Sequence, residues 1–273
     1  MPRTRPAIVC ARLYAVNALL VDLDDTIVAN VSAPAPDGSA ADCWEDACRA
    51  CEPPVDAQAV LVEVLKLRDW FWSDPERHRV GRLDLAAARR QIANLALRQL
   101  GHDDDELAGR IAERYCECRD SRVTLFPGAV ETLTWLRENK IRLALVTNGA
   151  ASAQRRTIAR FGLEPLFDVI LVEGELGFGK PDQRIYRIAL TELGADPQDA
   201  WMIGDNLEWD VGQPQRLGMT GVWVDTARAG LPESSPVRPD LVVGGLGELP
   251  HHLGRLTGSG LPPRASRDRS PRS

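Results

Sequence analysis

Residues 18–28 read ALLVDLDDTIV. Four apolar residues, Ala18 to Val21, lead into three aspartates within four positions, Asp22, Asp24 and Asp25, and the chain then turns apolar again. A short apolar run bounded by charge is what a parallel strand buried on both faces presents. Like charges crowded at the end of such a strand repel one another and lose hydration, so the stretch calls for a positive partner. That partner, and the frame that brings it there, must lie elsewhere in the chain.

The frame is set by alternation. Residues 30–43 are small, polar and proline-containing and read as a linker. From 43 to 120 the pattern is helical: 84–100 carries apolar residues at 85, 88, 92, 95, 96 and 100 and stops before Gly101, and 103–118 predicts a second helix. After Phe126-Pro127-Gly128 the grammar changes. Helices are expected near 129–139, 152–161 and 183–193, and strands near 141–146, 168–172, 200–203, 221–224 and 240–243. Strands alternating with helices of this length imply a parallel sheet covered on both faces. The fold class is therefore α/β: a Rossmann-like, doubly wound parallel sheet with a helical insert. Residues 1–29 and 126–254 would form the core, 30–125 the insert and 255–273 a basic, disordered tail.

Composition narrows the function. The 273 residues carry a net charge of −6, and five arginines against one aspartate from 255 onward leave about −10 on residues 1–254. Such an acidic body does not suit a nucleic-acid binder. The first residues, MPRTRPAIVCARLYAVN, have their apolar stretch broken by Arg12 and Asn17, so neither a cleaved signal nor a membrane span is expected. The six cysteines, at 10, 43, 48, 51, 116 and 118, do not look like a secreted disulfide framework. Cys116 and Cys118 point apart on a helix, so buried or free thiols are expected rather than a zinc site. With neither signal nor span expected, a soluble, reducing, cytoplasmic location is the default.

Sites in open α/β sheets form beyond the carboxyl ends of the strands. Four expected strand ends carry polar residues of one kind: Asp22, Asp24 and Asp25; Thr147 and Asn148; Lys180 in GFGKP; and Asp205 with Asp210. Gathered carboxylates call for a hard cation, Mg²⁺ or Ca²⁺. The lysine and hydroxyl would serve an anionic substrate. Lys180 is one of only three lysines in a chain that otherwise uses arginine. Together these groups describe phosphoryl transfer. One carboxylate attacks phosphorus, and a second, two positions on, protonates the leaving oxygen and then activates water.

With DLDDT at 22–26, LVTNG at 145–149, GKPD at 179–182 and GDNLEWD at 204–210, the chain resembles the haloacid dehalogenase-like (HAD) hydrolase superfamily, phosphatase type with a C1 helical cap. The resemblance runs from about residue 18 to 245. It implies Asp22 as nucleophile and metal ligand, and Asp24 as general acid/base that lends a backbone carbonyl to the metal. Thr26 would shape the loop. Thr147 and Asn148 would bind the phosphoryl group, Lys180 would neutralise it, and Asp205 would hold the metal. Asp210 would act through water or orient its neighbours, and Asp25 takes no catalytic role. The cofactor implied is Mg²⁺ and the partner a small phosphorylated metabolite, with neither nucleic acid nor membrane. The activity implied is that of a phosphoric monoester hydrolase. A phosphomutase uses the same two aspartates, and a non-catalytic member would keep only the fold; both stay open. The dehalogenase reaction does without the second acid, so Asp24 counts against it.

Where relatives carry small residues after the fourth motif, this chain has Gly212-Gln213-Pro214-Gln215, read as a shifted helix start because proline suits a first turn. Trp70, Phe71 and Trp72 are expected in the core of the insert or at its interface with the sheet domain, rather than as substrate contacts. The histidines at 78, 102, 251 and 252 match no catalytic spacing, and the last two are expected at the surface. Oligomeric state is not set by these features.

Overall fold

In the computed structural model, which describes residues 16–29, 39–51 and 55–257, the apolar run ahead of the aspartates is a strand, β1 (Ala18–Val21), with every residue fully buried. The chain leaves it through a loop into β2 (Val28–Ala29). Five helices follow: α1 (Ser39–Arg49), α2 (Ala57–Ser73), α3 (Pro75–Leu83), α4 (Leu85–Gln99) and α5 (Asp105–Arg122). The chain returns through β3 (Thr124–Leu125), then α6 (Ala129–Glu138), β4 (Arg142–Thr147), α7 (Ala151–Arg160), β5 (Val169–Val172), α8 (Glu173–Leu176) and α9 (Gln183–Leu193). β6 (Ala200–Gly204), a π-helical segment (Leu207–Gly212), α10 (Gln213–Arg216), β7 (Thr220–Val224), β8 (Leu241–Val243) and α11 (Leu249–Thr257) complete it.

Six strands form one parallel sheet in the order β5-β4-β1-β6-β7-β8. The chain winds outward on one side of β1 and then crosses to the other, so β1 lies between β4 and β6 at the switch point. Side chains alternate across the sheet as a period of two requires. Leu19, Val21, Leu143, Leu145, Trp201 and Ile203 pack on one face with Leu133 and Leu136 of α6. Ala18, Leu20, Ala144, Val146 and Met202 pack on the other with Ile185, Tyr186 and Ala189 of α9. Apolar burial on both faces is why β1 reads as an unbroken apolar run.

The inserted helices have a core of their own, with Trp44, Val60, Val64, Ile92, Leu107 and Ile111 among its buried residues. Both chain crossings into them run side by side as a short antiparallel ribbon, Val28 opposite Leu125 and Ala29 opposite Thr124. Aspartates start the helices: the side chains of Asp56, Asp74, Asp84 and Asp104 accept backbone N–H bonds at the N-termini of α2 to α5.

Several expectations are corrected. The linker read at 30–43 gives way to helix from Ser39, since small and polar residues there still complete an α1 that packs on α5. Its earlier part, 30–38, lies outside the described residues, as do residues 1–15 with Cys10 and the tail from 258. Arg255 to Thr257, grouped above with the tail, close α11. Cys43 and Cys118 are not thiols but a disulfide, 75 residues apart in sequence with Cα atoms 5.7 Å apart. Reading neighbours along one helix missed a pair that only the packing of α1 on α5 creates. Cys48, Cys51 and Cys116 are free. Among the described residues no helix is long and apolar enough to cross a membrane.

Candidate active site

The carboxyl ends of β1, β4 and β6 open into a cleft of about 590 Å³ roofed by the inserted helices. Asp22 follows β1, with its backbone N–H bound to the Ile203 carbonyl at 2.9 Å. Its carboxylate accepts from Lys180 Nζ at 2.6 Å and, weakly, from Thr26 Oγ1 at 3.4 Å. The same ammonium donates to Asp210 Oδ1 at 2.7 Å, so one buried cation joins two buried anions. This is the positive partner that the aspartate cluster requires.

Burial pushes the Asp22 carboxyl well above its usual range; Lys180 pulls it down, while Asp210, Asp205 and Asp24 add repulsion. Burial alone would lower the Lys180 ammonium, but Asp210 and then Asp22 outweigh it and hold it above its ordinary value. Asp205 faces the open side of the cleft, yet loss of water within its walls, then Asp210 and Asp25, push its carboxyl up to about 7. Carboxylate oxygens of Asp22, Asp205 and Asp210 all lie within 4.8 Å of one another. An all-oxygen set this close suits a small hard cation. Asp210, held on one oxygen by Lys180 and on the other by the Asn206 N–H at 3.0 Å, orients that set.

The turn after β6 explains how. Asn206 Oδ1 accepts from the N–H groups of Glu208 and Trp209 and starts the π-helical segment, which turns Asp210 back toward Lys180. Gly204 is required: a Cβ there would stand 2.3 Å from the Asp210 carboxyl. The chain then enters α10 with Pro214 in its first turn, as the helix-start reading of 212–215 expects. π-Helical segments recur at functional sites.

Asp24 lies apart from the three-carboxylate cluster. Its Oδ2 accepts from Gln154 Nε2 at 2.7 Å, and that amide also donates to the Asn148 carbonyl at 2.6 Å. Asp25 has a left-handed backbone, φ 56°, in keeping with a structural place in the loop. Asn148 lines the cleft, but its side-chain amide grips the backbone N–H and C=O of Lys180, each at 2.7 Å. Thr147 is fully buried, and its hydroxyl donates to the Asn148 carbonyl at 3.3 Å. The Asn148 side chain therefore braces the lysine loop and the Thr147 hydroxyl is turned to the Asn148 carbonyl, rather than either presenting a side-chain donor to the cleft in this conformation.

Sequence reasoning missed the insert's share of the site. Arg82 of α3 forms a two-bond ion pair with Glu173, at 2.8 and 2.6 Å, and Glu173 also accepts from the Gly149 N–H at 2.9 Å. The pair ties the insert to the loop after β4. Trp72 lines the cleft between insert and sheet, Phe71 is buried in the insert core and Trp70 is about half exposed, in line with the core-or-interface reading. His78 lines the cleft as well, between Trp72 and Trp209; burial and then the Arg82 charge lower its pKa, against Glu173. Gln154 on α7 carries no motif, and only its buried amide reveals it.

Known proteins resemble this chain in sequence and in fold. The family model described as a hydrolase, haloacid dehalogenase-like hydrolase, matches residues 16–217. Phosphoserine phosphatase of Thermus thermophilus is 38% identical over 161 residues, 59% of this chain and 63% of that protein, so the match spans less than two thirds of the relative's length. The 2-haloacid dehalogenase of Pseudomonas syringae superposes with a TM-score of 0.59 at 26% identity, covering 88% of this chain and 99% of that one. YfnB, a HAD-hydrolase of Bacillus subtilis solved bound to magnesium, superposes at 0.65 with 20% identity over 87% and 98%, a likeness of fold.

Proposed function

The chain belongs to the haloacid dehalogenase-like hydrolase family, and on that premise we propose that it is a Mg²⁺-dependent phosphatase of small phosphorylated metabolites. The observation that carries this reading is Asp22, buried at the end of β1, bridged by Lys180 to Asp210 and crowded by Asp205. Asp22 and Asp205 would hold the cation with the Asp24 carbonyl, while Asp210 fixes Lys180. Bound there, Mg²⁺ would offset the repulsion between carboxylates and phosphate and stabilise charge on the transferring group.

Asp22 then attacks phosphorus in line, forming an aspartyl-phosphate as the ester oxygen leaves. Asp24, aimed by Gln154, donates a proton to that oxygen and afterwards takes one from the attacking water. Lys180 meets the charge that develops on the phosphoryl oxygens. Asp24 also separates this reading from dehalogenation, which needs no leaving-group acid. The alignment with phosphoserine phosphatase supports phosphomonoester chemistry. A cytoplasmic setting belongs to the same reading, because charge retains small phosphate esters inside cells.

The test is phosphate release from p-nitrophenyl phosphate and a panel of phosphorylated metabolites, with Mg²⁺ and with EDTA, in the wild type and Asp22→Asn. Turnover that needs both the metal and Asp22 supports the proposal. Turnover that survives either loss sinks it.

A further inference from the structure

Four arginines line the cleft: Arg68, Arg82, Arg89 and Arg119. Arg68 is answered by Asp69 at 2.8 Å and Arg82 by Glu173 at 2.6 Å. Arg89 of α4 differs. It is only 7% exposed, yet its contacts are neutral: Nη1 donates to Cys116 Sγ at 3.0 Å, and the guanidinium stands 5.2 Å from the Tyr115 ring. No ion pair to Arg89 occurs among the described residues. Burial and then the neighbouring Arg89 charge also hold Arg119 below its usual pKa, so two cations share this wall.

An arginine is seldom this buried without an anion. Its planar fork matches a carboxylate with two parallel bonds. We propose that Arg89 determines specificity by binding a carboxylate of the substrate, so that the enzyme prefers phosphate esters of hydroxy or amino acids. The inference rests on the phosphatase reading, which places the phosphoryl group at Asp22 and Lys180 on the opposite wall. A monoanion matches the unanswered charge of Arg89 better than a second phosphate. Beside Arg89, Trp44 and Tyr115 stack at 4.0 Å, and both border the cleft.

The experiment uses two pairs of esters that differ by the carboxylate: O-phospho-L-serine against O-phosphoethanolamine, and 3-phosphoglycerate against glycerol 3-phosphate. Binding is measured by calorimetry on full-length Asp22→Asn protein with Mg²⁺, alone and combined with Arg89→Met or Arg89→Lys. The acid should bind about tenfold or more tightly in at least one pair, and both arginine variants should erase most of that preference. If Arg89→Met fails to fold, Arg89→Lys keeps the charge, loses the fork and still decides the matter. No preference in either pair, or a preference undiminished by the variants that fold, overturns the assignment. Wild-type turnover is scored separately. Turnover without a carboxylate preference overturns the Arg89 assignment alone. A preference that depends on Arg89 in a protein that hydrolyses no ester supports the site and overturns the phosphatase reading.

Discussion

Asp22 and Asp24 are two residues apart, and in the proposed reaction they do different work because their surroundings differ. Asp22 is held by Lys180, whereas Asp24 receives a hydrogen bond from Gln154. Gln154→Ala removes that donor without touching the cluster, so kcat should fall about tenfold with KM little changed, a loss of alignment rather than binding. Steady-state kinetics on one substrate decides it, and an unchanged kcat would contradict the assignment. Asp205 contributes to the pH dependence beside Asp22, whose carboxyl is raised as well. The folded Asp205 value of about 7 lies above the ordinary 3.8, so the cation-free fold keeps a proton that the unfolded chain releases. Stability without metal therefore falls as pH rises between those values. Mg²⁺ must displace that proton and any held by Asp22, so its affinity should rise as the pH climbs through about 7. Thermal-shift titrations of Mg²⁺ at acid and alkaline pH measure it; a pH-independent affinity would refute the assignment. The motif residues were legible in the sequence because each lies at or in the loop after a predicted strand. Gln154 and Arg89 were not, since what marks them is burial beside a partner or the lack of one.

At the scale of elements, apolar periodicity located α4, α5 and the helices and strands of the sheet to within a few residues, whereas α1 to α3 were read only as part of a helical stretch. It could not show β2 and β3, which are two residues each and have no period to read. Nor could it show the π-helical segment, whose register comes from the Asn206 cap and the Asp210 contact with Lys180. The insert helices are signalled differently, by aspartates that cap them. Asp84 accepts from the Ala87 N–H at 3.0 Å and starts α4, the helix that carries Arg89. Asp84→Ala should destabilise the protein by about 1 kcal/mol, read as a fall in the denaturant midpoint at unchanged slope. Asp84→Asn should lose much less. Equal losses from both would point to a contact other than the cap.

Over the whole molecule, the sheet delivers the acids and the insert closes over them. The fold class was readable from alternation, but the contacts between insert and sheet were not, because Arg82 and Glu173 are 91 residues apart and neither belongs to a motif. The Cys43–Cys118 disulfide was hidden for the same reason. It closes a loop of 75 residues, which in the chain-entropy account contributes roughly 4 kcal/mol. A reductant, or Cys43→Ser, should therefore lower the melting temperature, and a melt indifferent to reductant would show the pair to be unformed in solution. Since reducing compartments hold most thiols open, the same melt reports how the protein stands in either state.

The account as a whole turns on where the phosphoryl group goes. The most direct measurement is an acid-quenched single turnover with a labelled phosphate ester, followed by peptide mapping. The label should appear on the peptide carrying Asp22 when Mg²⁺ is present, and should vanish with EDTA or in Asp22→Asn. Phosphate released with no label ever reaching Asp22 would contradict the account.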